Sequence, residues 1–170
     1  MINIPTPPEY TPPHGLQIVI PFLPPTSNHI YVNGRGGRGR FLSKEAEAWK
    51  NRFMQQVIAP YMMPISDFCK TVDADPASIL ELHMIFFFEK EDLLNTTFGK
   101  DVKSAAKTRY KKMDVQNRIK LVTDAVSKAI AIDDSLHFRE IHDKCCADLA
   151  GGPGVCIRLK KSNPTFFGVQ

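Results

Sequence analysis

Ile79-Leu80-Glu81-Leu82-His83-Met84-Ile85-Phe86-Phe87-Phe88 decides the fold. This run is apolar and aromatic almost without interruption, and it is too short for a buried helix of ordinary length. It therefore reads as a strand in the interior of a β-sheet, with apolar cover on its faces. Everything else in the chain can be placed around it.

Downstream, residues 89–112 form a long excursion that carries most of the positive charge, with Ala105–Ala106 as its one candidate helical turn. A structureless loop of that length inside a compact domain is usually functional. A helix follows from about Asn117 to Ile130. Val115, Ile119, Val122, Val126 and Ile130 recur as one apolar stripe that packs on the sheet, while Asn117, Lys120, Asp124 and Lys128 fall on other, exposed faces. After Asp133–Asp134 come two strands, about Ser135–Cys146 and Val155–Lys160. Ala150-Gly151-Gly152-Pro153-Gly154 between them predicts a hairpin.

Upstream, residues 61–77 read as a loop rich in Pro, Asp and Ser. Before it, Ser43 is a candidate N-cap for a helix whose apolar positions Ala46, Trp49, Phe53 and Val57 recur until Pro60 stops it. Trp49 belongs to the core rather than to a base-stacking platform. Asn33 to Arg40 is a Gly/Arg loop without the order of a nucleotide P-loop. Either a clamp on backbone phosphate or a plain hairpin tip fits it. Pro24-Pro25-Thr26-Ser27-Asn28-His29-Ile30-Tyr31 is turn-rich, and Leu16 to Phe22 reads as a short strand. The expected architecture is α+β: a small mixed β-sheet packed by two main helices, formed by residues 15–162 as one domain. Residues 1–14 are expected to be a flexible Pro-rich tail, and residues 163–170 a C-terminal tail.

The chain has 170 residues and a net charge of +4, enough length for a single core without staples. No run approaches the roughly 18 apolar residues of a membrane span, and the Pro-rich N-terminus lacks the layout of a signal peptide. A cytoplasmic protein without membrane contact is expected. Cys69, Cys145, Cys146 and Cys156 form no C-x-x-C pair, so buried free thiols are expected rather than zinc ligands. His29, His137 and His142 lack metal-ligand spacing and read as surface or satisfied residues. Charge is unevenly placed: Lys100, Lys103, Lys107, Arg109, Lys111, Lys112, Arg118 and Lys120 face only Asp101 and Asp114 between residues 100 and 120. Such clustering suits a polyanion; a solvated basic loop is the bland alternative.

Four segments in order, P-P-T-S-N-H-I-Y, F-L-S-K-E-A-E-A-W-K, D-V-Q-N-R-I-K and D-A-V-S-K-A-I-A-I-D-D-S, resemble landmarks of the RusA family of Holliday junction resolvases over roughly residues 16–160. The resemblance implies a dimeric α/β endonuclease that resolves four-way DNA junctions with Mg²⁺, for which Mn²⁺ can substitute. It implies metal-binding carboxylates at Asp114 and Asp134, a catalytic lysine at Lys120, the motif asparagine at Asn117, and an accompanying acid at Asp133. Asn28 and Tyr31 become candidate near-site residues. The departure is Gln116, where the best-known members carry Asp: it offers a carbonyl oxygen without charge, so weaker metal binding is expected. Asp124 or Asp133 could supply the missing charge. Branched DNA would be held by Arg35, Arg38 and Arg40 of the Gly/Arg loop and by Lys103, Lys107, Arg109, Lys111, Lys112 and Arg118, with Tyr110 stacking on opened bases. Taken singly, Asp114 is also a plausible pre-helix acid, Asp133–Asp134 a turn, and Lys120 an ordinary helix lysine. The two acidic positions flank a helix whose ends lie about 20 Å apart, so a shared ion requires closure that the spacing does not provide.

Overall fold

In the computed structural model, residues 2–26, 30–33, 39–75, 77–111 and 115–162 are described. The Ile79–Phe88 run is strand β4, numbered after β1 (Gly15–Ile20), β2 (Tyr31–Asn33) and β3 (Arg40–Leu42). With β5 (His137–Cys146) and β6 (Gly154–Ser162) it forms a four-stranded mixed sheet in the order β1-β6-β4-β5. β6 pairs antiparallel to β4 from Ile79↔Ser162 to Phe87↔Gly154. β5 pairs parallel to it from Leu80↔His137 to Phe88↔Cys146, with a register shift between Leu80 and Glu81. β1 closes the other side, antiparallel to β6 from Gly15↔Lys160 to Ile20↔Val155. β2 and β3 form a separate two-stranded ribbon.

The apolar run resolves into period two. Leu80, Leu82, Met84, Phe86 and Phe88 belong to the main core. Ile85 and Phe87 lie in a second cluster with Ala147, Ala150 and Cys156, against which Ile2 and Ile4 pack. Glu81 and His83, on that second face, are met by polar partners: Glu81 accepts from Ser162 Oγ at 2.8 Å and pairs with Arg139 and Lys160 at 3.3 Å, and His83 Nε2 meets Asp143 at 2.8 Å.

The main core is covered by helices. α1 (Lys44–Arg52) is capped by Ser43, whose Oγ accepts from Ala46 N at 3.1 Å. Trp49 stacks on Phe53 and meets Phe22 edge-on, which places it in the core as expected. Pro60 does not end the helical path. A π turn (Phe53–Ile58) and a 3-10 turn (Ala59–Tyr61) carry the chain into α2 (Met62–Asp73). Residues 61–77 are thus largely helix, not loop. Pro64 falls in the first turn of α2, where backbone N–H groups have no intrahelical acceptor to lose, and Ile65, Phe68 and Val72 turn one face inward. After β4, α3 (Lys90–Leu93) opens the long excursion, and α4 (Gln116–Ile130) packs on the sheet through Ile119, Val122, Val126 and Ile130.

Further expectations are corrected. The Gly-rich 150–154 segment is not a hairpin, since β4 lies between β5 and β6. A ten-residue apolar strand is satisfied by two neighbours, and it takes both of the strands that were expected to pair with each other. Residues 2–10 are not a free tail. Asn3 N donates to Ala150 O at 3.0 Å, Gln17 Nε2 donates to Ile4 O at 3.1 Å and to Thr6 Oγ1 at 2.9 Å, and Arg158 lies over the Tyr10 ring. Ala105–Ala106 contributes a turn closed by Ala105 N to Val102 O, not a helix. Of the four free thiols only Cys156 is fully buried.

Phe68, fully enclosed between α2 and the sheet, is the sharpest test of this packing. Phe68→Ala should cost about 3–5 kcal/mol and lower Tm by roughly 10 °C for a chain of this size, measured by thermal unfolding. Burial pushes the Cys156 thiol up to about 11, so at neutral pH a thiol reagent should label it only after denaturant has opened the sheet.

Candidate active site

α4 begins at Gln116 without a side-chain cap, its first ladder bond running from Ile119 N to Val115 O at 2.8 Å. Apolar residues occupy its inner face, which leaves Gln116, Lys120 and Asp124 exposed at four-residue spacing along one outer stripe. The helix ends on Ala131 in the left-handed conformation, φ 56°, a position an alanine occupies at a cost of about 1–2 kcal/mol. That reversal buries Ile132 and returns Asp133 and Asp134 toward the helix. The result is an open hollow of about 470 Å³ lined by Asp124, Ser127, Ala131, Ile132, Asp133 and Asp134.

The groups around it differ in how they are held. Asp133 caps the short 3-10 turn Asp134–Leu136, its Oδ1 accepting from Ser135 N at 2.8 Å. Hydrogen bonds from Ser135, with smaller help from Asp134 and His137, hold its carboxyl below the usual range. Its turn-forming role is therefore real, and it does not remove the residue from the hollow. Ser127 Oγ is buried with no hydrogen-bond partner among the described residues, as is the Tyr31 hydroxyl. Burial raises the Tyr31 pKa, and the Asp124 charge adds to the rise while Arg40 opposes it. Tyr31 thus lies within the field of the site, with the Arg40 guanidinium 4.9 Å from its ring. His137, which was not expected here, has a side chain only 1% exposed and an Nδ1 3.7 Å from Glu140. Burial lowers its pKa against the opposing fields of Glu140, Asp134 and Asp133. Its position at the start of β5, three residues after Asp134, was the only clue in the sequence.

The donors on the hollow are all oxygen, which is the chemistry a hard divalent cation requires. Among the described residues no group of three or more His, Cys, Asp or Glu converges into a cage. The arrangement suits a cation that keeps most of its water and is held by one or two carboxylates, as Mg²⁺ is. The orphaned Ser127 hydroxyl offers a partner for one such water.

Of the predicted site residues, Asp133 and Asp134 are brought together, and Asp124 joins them, as one of the two acids considered for the charge missing at Gln116. Gln116, Asn117 and Lys120 do not line the hollow: Gln116 is eight residues, about 12 Å of helical rise, from Asp124. Asp114, Asn28, Arg35, Arg38 and Lys112 lie outside the described residues. Lys103, Lys107, Arg109, Tyr110 and Lys111 are exposed, as a polyanion surface requires, although Lys111 Nζ also donates to Glu91 O at 2.6 Å. Arg118 is held differently from these. Half-buried, it donates through Nε to Pro25 O at 3.0 Å and covers the Phe88 ring at 5.3 Å, and burial lowers its pKa. It fastens the turn before β2 to the helix instead of reaching solvent.

The class that the chain falls into is that of enzymes that cut DNA internally. The family model described as Endodeoxyribonuclease RusA matches residues 21–160. The chain belongs to the RusA endodeoxyribonuclease family. No curated protein matches it. β1 and the segment laid across the outer sheet face precede the matched range. No helix among the described residues is long and apolar enough to cross a membrane.

Arg118→Ala should lower Tm by several degrees through lost packing and leave the salt dependence of duplex binding unchanged. Lys103→Ala should leave Tm unchanged and reduce the slope of log affinity against log salt by about 1. Fluorescence anisotropy over a salt series measures both slopes.

Proposed function

We propose that this chain is a Mg²⁺-dependent, structure-selective endonuclease that resolves four-way DNA junctions as a homodimer in the cytoplasm. The observation that carries the reading is the open hollow lined by Asp124, Asp133 and Asp134, in a chain of a DNA-cutting family. Asp114 and Asp134 are the principal carboxylates for the ion, with Asp133 next to Asp134 and the Gln116 carbonyl oxygen as a further ligand from the start of α4. A Mg²⁺ ion held by these residues would supply polarisation of a phosphoryl oxygen and a lowered pKa for an attacking water. Lys120, exposed one turn from both Gln116 and Asp124, sets its ammonium against the charge that builds on the phosphate in the transition state. Asn117 and Asn28 orient groups next to the phosphate, and Tyr31 stands near the site, within the field of Asp124. Because Gln116 and the hollow are separated along α4, Asp114 must approach the ion from its own loop or from the second copy of the dimer. Two-fold symmetry in the dimer matches that of the junction, so equivalent strands are cut.

The basic residues Arg40, Lys103, Lys107, Arg109 and Lys111, with Arg35, Arg38 and Lys112, hold phosphates without regard to sequence. Synthetic four-way junctions with Mg²⁺ should be cut by the native protein, and Asp114→Asn and Asp134→Asn should each reduce the rate by more than about 100-fold, beyond what loss of an outer-shell partner causes. Unchanged cleavage in both variants would remove these residues from the ion site.

Gln116 supports a second reading, a junction-binding protein whose cleavage is weakened by the missing charge. Under it the native protein binds junctions and nicks them slowly, and Gln116→Asp raises the rate without changing junction affinity. Fast native cleavage rules this reading out.

A further inference from the structure

Residues 94–111 are not a slack excursion. Leu94 and Tyr110 form a β-bridge, Asn95 N donates to Arg109 O at 2.9 Å, and Asn95 Nδ2 reaches Thr108 O at 2.8 Å and Tyr110 O at 3.1 Å. Lys111 N donates to Leu93 O at 2.9 Å, and Ala106 N to Thr97 Oγ1 at 3.1 Å. Inside this neck the chain turns through Phe98 N to Asn95 O and Lys100 N to Thr97 O, with Gly99 in the positive-φ conformation at 76°. The loop is closed, and most of the entropy of shaping it is already lost before any ligand arrives.

What it presents is unusual for a loop so well fastened. Phe98 and Val102 are 47% exposed and Tyr110 is 65% exposed. They stand among Lys100, Lys103, Lys107, Arg109 and Lys111, opposed within the loop only by Asp101. A solvated basic loop has no use for three large apolar side chains held in water, and a protein-docking patch seldom carries so many cations among its apolar groups. Aromatic rings interleaved with cations are the surface that unpaired bases on a phosphate backbone require. Asn95 links both rings, since it bonds the backbone of Tyr110 and accepts from the backbone of Phe98. The neck is also six residues before Gln116, a chain length that reaches at most about 20 Å. The neck of the loop therefore lies within that reach of the start of the helix that carries the site.

We infer that this pinned loop is a base-stacking device, in which Phe98 and Tyr110 receive nucleobases unstacked at the branch point while the surrounding lysines and Arg109 hold the flanking phosphates. The inference rests on the reading of the chain as a junction nuclease and adds to it how branch points are told from duplex. Base opening then needs no moving part.

Junctions carrying 2-aminopurine at the branch point, and linear duplexes of the same sequence, provide the test, with Ca²⁺ present to support binding. Native protein should change the 2-aminopurine fluorescence and favour junction over duplex. Phe98→Ala and Tyr110→Ala should each reduce junction affinity by about tenfold with duplex affinity unchanged, and the double variant should abolish the fluorescence change. Tyr110→Phe, which keeps the ring, should behave as native, and unchanged Tm values in all variants separate stacking from unfolding. Native protein that binds and cuts junctions while the alanine variants match it in both fluorescence and selectivity overturns the stacking role alone. Native protein that binds no junction at low salt overturns the nuclease reading instead.

Discussion

The demand that β4 makes on its surroundings governs the rest of the molecule. Ten residues with few polar side chains need hydrogen-bonding neighbours on both edges and apolar cover on most of both faces. β6 and β5 supply the edges, and α1, α2 and α4 cover the even-numbered side chains. The odd-numbered face is shared: Ile85 and Phe87 are sheltered by the N-terminal residues Ile2 and Ile4, and Glu81 and His83 are balanced by charged partners. The site follows from this arrangement. β5 has to start beside β4 at Leu80, so the chain leaving α4 must turn sharply, and the turn at Ala131 is what sets Asp133 and Asp134 against Asp124.

Much of this was legible because apolar periodicity reports burial directly. β4, the inner stripe of α4, the cap at Ser43 and the core position of Trp49 all follow from residue type and spacing. What failed was local punctuation read without its tertiary setting. Pro60 and Pro64 look like stops, yet one sits in a 3-10 turn and the other in a first helical turn, where neither removes a needed hydrogen bond. The Gly-rich 150–154 segment signals reversal of the chain, and the chain does reverse there. The sequence carries no mark saying that another strand lies in the gap.

The site was legible in its acids and not in their grouping. Asp133 and Asp134 stand out as a pair, whereas Asp124 looks like any exposed helix acid until the reversal at Ala131 places it opposite them. Arg118 illustrates the converse case. Its charge fits the basic segment, but its partners are the Pro25 carbonyl and the Phe88 ring, both distant in sequence. His137 escaped notice because burial of a single histidine at a strand start depends on what packs over it, and no spacing rule encodes that.

The antiparallel pairing of β1 with β6 joins residues 15 and 160, with consequences for biosynthesis. At a translation rate of about 5–20 residues per second, the apolar strand Gly-Leu-Gln-Ile-Val-Ile leaves the ribosome roughly 7–30 s before its partner exists. Until then it is an unsatisfied template for any neighbouring strand. The sheet can close only when the last strand arrives, so nascent chains that stall short of residue 155 expose two orphan strands at once, β1 and one side of β4.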